Sequence, residues 1–277
     1  MRNGLLRSHR GRWTLSGLCL LTTCALGTLV LTQLAIAALG CPTCFGSERL
    51  AGRIHVDPRM PGETRAMLLQ ADADATTRLV PFFGGASADP VILACSDEDC
   101  QRRIDGGGAR GMSYVSYGLR LSPRGLNPTT VMHERTLIEL QHRLGLLGFV
   151  RGDIPTWFQE GVAVVASGYS RDLLPEGTAG SRCRAEPTGT LPAGDAEWRH
   201  LGATDNHIYA RAACRVLNWM NANGGPGQWG ASWLPWPEAS ALRTCIETRP
   251  INRRINPASS CDPVTRHRSS CATFRRP

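Results

Sequence analysis

The stretch from Val131 to Ser167 constrains the fold most, because it contains two consecutive helical patterns. In its first half, Leu137, Leu140, Leu144 and Leu147 recur at three- and four-residue steps. This spacing is typical of one apolar face of an α-helix. His133 lies on the same face one turn earlier. The sequence therefore predicts an amphipathic helix with the His133 side chain directed inward.

A second helix is predicted to begin near Thr156. Gly148 and Gly152 interrupt the first pattern, and Pro155 then precedes Thr156 and Gln159 in a Thr-x-x-Gln arrangement. Such a pair of side chains can satisfy free backbone N–H groups at a helix start. Glu160 would lie in the first turns of this helix, on the face that also carries apolar residues (Trp157 and Val164) and Ser167. A carboxylate there requires a partner, because burying an unpaired charge is costly.

These residues resemble the gluzincin branch of the zinc metallopeptidases, the peptidase MA-like group. That family carries His-Glu-x-x-His on one helix and a Glu, often within Trp-Phe-x-Glu-Gly-x-Ala, on the next. The present chain has HERTL at 133–137 and WFQEGVA at 157–163. The resemblance extends over about 121–171, including the approach LSPRGL at 121–126 and the Ile-Pro pair at 154–155.

The resemblance implies a zinc site and a fold. It makes His133 the first zinc ligand, Glu134 the general base that deprotonates metal-bound water, and Glu160 the last ligand. It also implies an α+β, zincin-like domain with a small mixed sheet and active-site helices. In the family, residues i and i+4 of one helix share the metal. Leu137 stands at the position of the second His, so zinc occupancy is doubtful.

The sequence does not identify a replacement for the missing ligand. A catalytic zinc site normally has three protein ligands plus water. His142 lies nine residues after His133, on the opposite side of the helix, and Glu139 is also off the metal-facing side. His200 and His207 reach the site only if the tertiary fold brings them there. Three readings stay open: a degenerate site, an active peptidase with a replacement ligand, and a shared fold alone.

A downstream helix is predicted from Asn206, with Ile208, Ala212, Val216 and Met220 on one stripe. In gluzincins a Tyr or His from such a helix can steady the oxyanion, which makes Tyr209 the second catalytic candidate and His207 the alternative. A Tyr that packs in the core or at the rim is the competing interpretation.

The amino terminus predicts a membrane anchor. Residues 1–13 contain four Arg and no acid, and 15–39 contain no charged residue. A run of 25 residues is long enough to cross a bilayer, and the preceding positive charges favour a cytoplasmic amino end. We therefore expect a cytoplasmic segment over 1–13, a transmembrane signal anchor over 14–40, and a single-pass protein of the inner membrane. A cleavable signal ending at Ala35-Ile36-Ala37 and a lipid on Cys41 are alternatives.

The rest of the chain is predicted to be exported, as a zincin-like domain over 41–248 and a basic, Cys-containing tail over 249–277. Export to a periplasmic or extracellular location agrees with the cysteines, of which nine lie outside the apolar segment. Cys95 and Cys100 are spaced for a local disulfide, as are Cys261 and Cys271. Cys41-x-x-Cys44 is expected to be a structural disulfide. The spacing of three others suits longer crosslinks: Cys183, Cys214 and Cys245.

The charge distribution argues against nucleic-acid binding. The chain carries +8 overall, but the first 40 residues contribute +4 and residues 249–277 contribute +6, which leaves −2 for 41–248. A body near neutrality gives no basic surface by count. The gluzincin resemblance implies a peptide or protein as the partner, and the predicted anchor implies a membrane.

The remaining elements are predicted from local patterns. Strands are expected at 50–56, 90–95 and 112–121, and a helix at 61–79. Residues 170–203 read as a loop, 229–236 as an aromatic cluster, and 237–246 as a last helix.

Together these patterns predict a membrane-anchored metallopeptidase-like protein with a degenerate zinc site and weak or no peptidase activity. The alternatives are a pseudo-peptidase that binds an envelope peptide or protein without cleaving it, and a structural envelope protein held by disulfides.

Overall fold

The computed structural model describes residues 34–104 and 106–222, which form one mixed sheet and the helices around it. The five strands are β1 (Glu48–Ala51), β2 (Ile54–Val56), β3 (Val91–Ala94), β4 (Gly111–Tyr114) and β5 (Gly118–Leu121). Their spatial order is β1-β2-β3-β5-β4. The three central strands β2, β3 and β5 are parallel, whereas β1 and β4 pair antiparallel at the two edges. The fold class is α+β with a small mixed sheet, as the sequence predicts.

The helices are α1 (Leu34–Gly40), α2 (Gly62–Arg78), α3 (Val80–Phe83), α4 (Glu98–Arg103), α5 (Pro128–Arg151), α6 (Thr156–Ser167), α7 (Asp195–Thr204) and α8 (Ile208–Ala222). The predicted helix over 61–79 is α2, and the helix predicted from Asn206 is α8, whose stripe of Ile208, Ala212, Val216 and Met220 is buried.

The sheet is covered on both faces, which explains why β3 is a continuous apolar run, Val-Ile-Leu-Ala, buried at every position. On one face, Ile92 and Leu121 pack against Leu68 of α2 and Ile138 of α5. On the other face, Val91 and Leu93 pack against α1 and α4 through residues such as Ala38, Leu39, Cys100 and Ile104.

A third hydrophobic cluster lies between α5, α6 and α8 and positions the candidate site. Its members include Leu140, Phe158, Val162 and Val216, all with no exposed surface. Phe158 also makes edge-to-face contacts with Trp157 and Trp219, with ring centroids 5.5 Å apart in each pair. The helix that carries His133 is thereby fixed against the helix that carries Glu160.

Three predicted elements differ from the structure. The strand predicted over 50–56 is a hairpin of β1 and β2, which pair antiparallel across a turn in which Gly52 has a positive φ of 51°. The strand predicted over 112–121 is a hairpin of β4 and β5, because Val115 adopts a positive φ of 51° and Tyr117 N donates to Tyr114 O in the connecting turn. The loop predicted over 170–203 ends in helix α7, which buries Trp198 against α6 and α8.

The apolar stripe of the first site helix is also shorter than predicted. Gly145 has non-helical φ and ψ of 66° and 168°, a combination that only glycine adopts readily, and it kinks α5 there. Leu144 before the kink is buried, whereas Leu147 after it is 73% exposed. The prediction that Leu147 faces the core is therefore wrong.

The start of α6 is where the sequence places it, but the predicted capping contact is absent. Pro155 precedes the first helical residue, and no side chain caps the helix. The Gln159 amide donates instead to Ile154 O, at 2.9 Å.

Three disulfides are present among the described residues: Cys41–Cys44, Cys95–Cys100 and Cys183–Cys214. They confirm the predicted local pairs at 41–44 and 95–100. Cys183 joins the segment after α6 to the middle of α8. The predicted pair Cys261–Cys271 and Cys245 lie outside the described residues, as do the aromatic cluster at 229–236 and the helix at 237–246.

The predicted anchor over 14–40 lies mostly outside the described residues. Its last seven residues form α1, in which Ala35, Ala38 and Leu39 are buried. Within 34–104 and 106–222, the helices are too short or too polar to cross a bilayer.

Candidate functional site

The candidate site lies at the start of α5, the α-helix that follows β5. Asn127 caps this helix by accepting a hydrogen bond from Thr130 N at 2.9 Å, and Pro128 occupies its first turn. Because β5 ends at Leu121, the first turns of α5 lie at the carboxyl end of the parallel strands. His133 and Glu134 follow in the second turn of α5. The capped helix start therefore places both residues close to the carboxyl ends of the parallel strands.

His133 and Glu160 are in direct contact, as the resemblance implies for two ligands of one metal. His133 Nε2 lies 3.1 Å from Glu160 Oε2, and the two side chains are 12% and 17% exposed. Burial opposes protonation of His133, but the hydrogen bond and the charge of Glu160 outweigh it and raise the pKa of the imidazole. The pair therefore exists as an imidazolium–carboxylate ion pair over a wider pH range than a free histidine allows.

Glu134 is buried beside this pair, against the edge strand β4. A Cβ on Gly111 would lie 2.6 Å from Glu134 Cγ, so glycine is what lets the strand approach the carboxyl group. Burial raises the pKa of Glu134 to about 7. Glu134 Oε2 has no hydrogen-bond partner among the described residues. A carboxyl group with this pKa can accept or release a proton near neutral pH, which is the property a general base or acid needs.

The raised pKa of Glu134 predicts how the free energy of unfolding of the metal-free protein depends on pH. A buried carboxyl that binds its proton more tightly in the folded state destabilises the fold as the pH rises from about 4.5 to about 7. From the size of the shift, this loss amounts to at most about 3 kcal/mol. We expect the free energy of unfolding, measured with urea from pH 4.5 to 8, to decline much less in Glu134→Gln than in wild type. The exposed Glu186→Gln is the matched control; an equal change in both variants would contradict the assignment.

An apolar side chain fills the position at which the resemblance implies a second histidine ligand. Leu137 is 6% exposed and continues the buried stripe of α5. In the described ranges, no group of three or more His, Cys, Asp or Glu side chains is arranged to hold a metal ion. The predicted donors His133 and Glu160 are brought together, but two donors fall short of the three that a catalytic zinc site normally uses.

The other residues considered as ligands are engaged or exposed elsewhere. Glu139 accepts hydrogen bonds from Ser87 N, Ser87 Oγ and Ala88 N, between 2.6 and 2.9 Å, on the far side of α5. His142, His200 and His207 are exposed, and none belongs to a metal-binding group with His133.

Tyr209, the second predicted catalytic residue, lies close to the pair. Burial and the negative charge of Glu160 raise its pKa, so its hydroxyl stays protonated at physiological pH. The ring packs edge-on against Trp198, with centroids 5.0 Å apart, and beneath Arg171, whose guanidinium carbon is 5.5 Å from the ring centre. These contacts pack the partly buried ring against the core. Gly161, next to Glu160, meets Ala212 one turn after Tyr209 on α8, so Tyr209 lies on the part of α8 that faces the site.

Residues that follow α6 form a rim that the sequence does not predict. Arg171 donates to both carboxylate oxygens of buried Asp172 and lies over the Tyr169 ring at 5.4 Å. Arg110, just before β4, donates to the Tyr169 hydroxyl at 2.8 Å and so joins the edge strand to this rim. The only sequence signal was a cluster of aromatic and charged residues after the WFQEGVA phrase.

Beside the rim is an open groove of about 410 Å³, lined by Arg171, Arg184, Asn206, His207 and Ala210. The alternative oxyanion residue, His207, therefore lies in this groove.

The structure thus brings His133, Glu134 and Glu160 together next to an edge strand, with Tyr209 nearby and Leu137 at the remaining ligand position. In comparisons with known proteins, no family model, curated protein or solved structure matches the chain.

Proposed function

We propose that the chain is a membrane-anchored, metallopeptidase-like protein with an incomplete zinc site and weak or no peptidase activity. The observation that carries this proposal is the contact between His133 and Glu160, with the buried Glu134 carboxyl beside it. These three residue types, at this spacing on two packed helices, are what the gluzincin resemblance requires. Leu137 is the departure that removes a ligand.

The donor set does not fit a resident catalytic zinc ion. His133 and Glu160 supply one nitrogen and one carboxylate, and they already satisfy each other at 3.1 Å. A metal would have to displace this hydrogen bond and the proton it holds, because a histidine ligand binds in its neutral form. The side chains themselves can form an ion pair and exchange a proton at Glu134. Hydrolysis by metal-bound water is consequently expected to be weak or absent.

Peptide hydrolysis by the purified full-length chain tests this proposal. Wild type and Glu134→Gln are incubated with a mixture of unstructured peptides, with added zinc and with a chelator, and products are counted by mass spectrometry. We expect the same background cleavage in all four samples. Zinc-dependent cleavage far above this background, which the chelator and Glu134→Gln both abolish, would contradict the proposal and establish an active peptidase.

A second candidate function is peptide binding without cleavage, and the edge strand favours it. All four residues of β4 are partly exposed, and β4 is the outermost strand on its side of the sheet within the described ranges. An extended peptide can add to such an edge through main-chain hydrogen bonds. Because Gly111 contacts Glu134, a peptide on this edge would run along the His133–Glu160 pair.

Hydrogen exchange distinguishes peptide binding from a purely structural, disulfide-held envelope protein. If β4 receives a peptide, a bound sequence selected from a peptide library slows amide exchange in 111–114 and leaves the covered strand β3 unchanged. If no library peptide protects 111–114, the structural alternative is favoured. Nucleic acid is not an expected partner, because the charge outside the two termini is close to neutral.

A further inference from the structure

The exposed large apolar side chains are concentrated at one end of the domain. Eight such residues occur in the described part of the chain. Seven of them lie on segments that reach the amino ends of the parallel strands, and the eighth, Leu69, lies midway along α2. We call the seven the apolar end: Leu34, Ile36, Val80, Tyr117, Leu146, Leu147 and Val150.

The positions of α1 and Tyr117 follow from contacts with the sheet. Tyr117 immediately precedes β5, and its carbonyl accepts from Val91 N, the first residue of β3. A Cβ on Gly118 would lie 2.9 Å from Leu39 Cδ2, which places the end of α1 at the same strand termini. Leu34 lies five residues earlier in this short helix, about 8 Å along its axis.

The positions of the other members follow from contacts of α5. Glu139 binds the backbone of Ser87 and Ala88, just before β3, and Arg143 donates to Gly85 O at 3.0 Å. These contacts show that α5 descends from the site toward the amino ends of the strands. Leu146, Leu147 and Val150 follow directly after Arg143, and Val80 begins the short helix that leads to Gly85.

The spacing of the three α5 residues gives them a common direction. Positions 146, 147 and 150 are separated by one and three residues, which places them on one side of the helical turns after the Gly145 kink. They are 65%, 73% and 72% exposed. The kink turns these side chains away from the core that Leu144 enters, and so creates an apolar helix face in contact with solvent.

The uncharged run of the sequence enters the domain at this same end. Residues 15–33 contain no charged side chain, and the run continues into α1 through Leu39. A segment apolar enough for a bilayer core therefore leads directly into α1, without a spacer. The exposed apolar residues of α1, Leu34 and Ile36, belong to the apolar end. A linker long enough to hold the domain away from a membrane is absent from the sequence at this point.

We propose that the apolar end is a second membrane contact, which lays the domain on the lipid surface with the candidate site facing away from it. Exposed apolar helix faces of this kind insert at the boundary between headgroups and acyl chains. The proposal rests on the predicted membrane anchor and is independent of zinc or peptide binding. Two exposed arginines, Arg53 and Arg151, lie on segments at this end, and each pairs with an acid, Asp89 and Asp153 respectively. The apolar side chains, rather than net positive charge, therefore carry the proposed contact.

The orientation follows from the direction of α5. His133 and Glu134 lie near its beginning, at the carboxyl ends of the parallel strands, and the apolar end lies beyond Arg143, at the amino ends. The sheet and the length of α5 separate the two. A cleft in this position is open to a peptide or protein in the aqueous compartment while the domain rests on the bilayer.

Photocrosslinking of the full-length chain tests the contact. A diazirine amino acid replaces Leu147 in one sample and Leu69 in the other, and each protein is reconstituted in vesicles that contain phosphatidylglycerol and phosphatidylethanolamine. Both positions are exposed, so neither replacement disturbs packing, and circular dichroism checks that the fold is intact. After irradiation, lipid adducts are measured by mass spectrometry. We expect a several-fold higher adduct yield at position 147 than at position 69.

Three results would overturn the proposal. Equal lipid yields at the two positions would show that the apolar end has no preference for the bilayer. Adducts at position 147 to a second copy of the chain would make the surface a dimer contact. Lipid adducts at neither position, with the protein recovered outside the vesicles, would remove the anchor as well. None of these results bears on peptide hydrolysis, so the proposed function is tested separately.

Discussion

Replacing Gly161 with valine is expected to lower the free energy of unfolding by about 3 kcal/mol, because it forces apart two closely packed helices. A Cβ at this position would lie 2.7 Å from Val216 Cγ2 and 2.8 Å from Ala212 O of α8. Backbone cannot move aside as a flexible side chain can. Since α6 carries Glu160 and α8 carries Tyr209, the helices would separate at the level of the site.

Urea unfolding of the purified protein measures this effect, and Gly62→Ala is the matched control. Gly62 also lies in a helix, but a Cβ there would meet no atom within 4 Å. Alanine at an open helical position changes stability by no more than about 1 kcal/mol, in the favourable direction. If Gly161→Val proved as stable as the control, the close contact of α6 with α8 would be refuted.

Replacing Glu139 with alanine is expected to cost about 3 kcal/mol, because it removes the centre of a buried hydrogen-bond network. The Glu139 side chain is 1% exposed and accepts from Ser87 Oγ, from two backbone N–H groups and from Arg143 Nε at 2.7 Å. Without the carboxylate, these buried donors lose their acceptor.

The effect of Glu139→Ala should also depend on pH. Burial alone would raise the pKa of Glu139, but the hydrogen bonds from Ser87, Ala88 and Arg143 outweigh burial and lower it. A lowered pKa contributes stability above the ordinary carboxyl pKa, and this contribution disappears as the pH falls through the folded-state value. The stability gap between wild type and Glu139→Ala is therefore expected to be full at pH 7 and to narrow in acid. A constant gap down to the acid-unfolding limit would argue that lost packing, rather than charge, causes the destabilisation.

Local sequence patterns predicted most of the helices that build the site. The start of α6 at Thr156 and the buried stripe of α8 follow from apolar periodicity and from proline, which act within a few residues. The sequence pattern predicts a single strand where the hairpin of β4 and β5 lies, because the turn depends on Val115 in a positive φ conformation, which valine rarely adopts. The break at Gly145 is not predicted either, because a single glycine inside a helical pattern is often tolerated.

The pairing within the site was predictable only in part. The HERTL and WFQEGVA segments predict His133, Glu134 and Glu160 as site residues, and the structure places these three residues together. The rim of Arg110, Tyr169 and Arg171 was not predictable, because it joins the loop before β4 to the segment after α6. The role of Glu139 depends likewise on Ser87, which is 52 residues away in sequence.

The zinc content of the full-length chain tests the central claim most directly, with Leu137→His as the decisive variant. Residue 137 lies one helical turn after His133, so a histidine there would complete the set of three ligands. After purification without chelator and dialysis against zinc, elemental analysis is expected to find far less than one zinc ion per wild-type chain and close to one in Leu137→His. Adding Glu160→Ala to that variant should remove the metal again. A full zinc ion in wild type, or none in Leu137→His, would contradict the account that one missing ligand separates this site from a zinc centre.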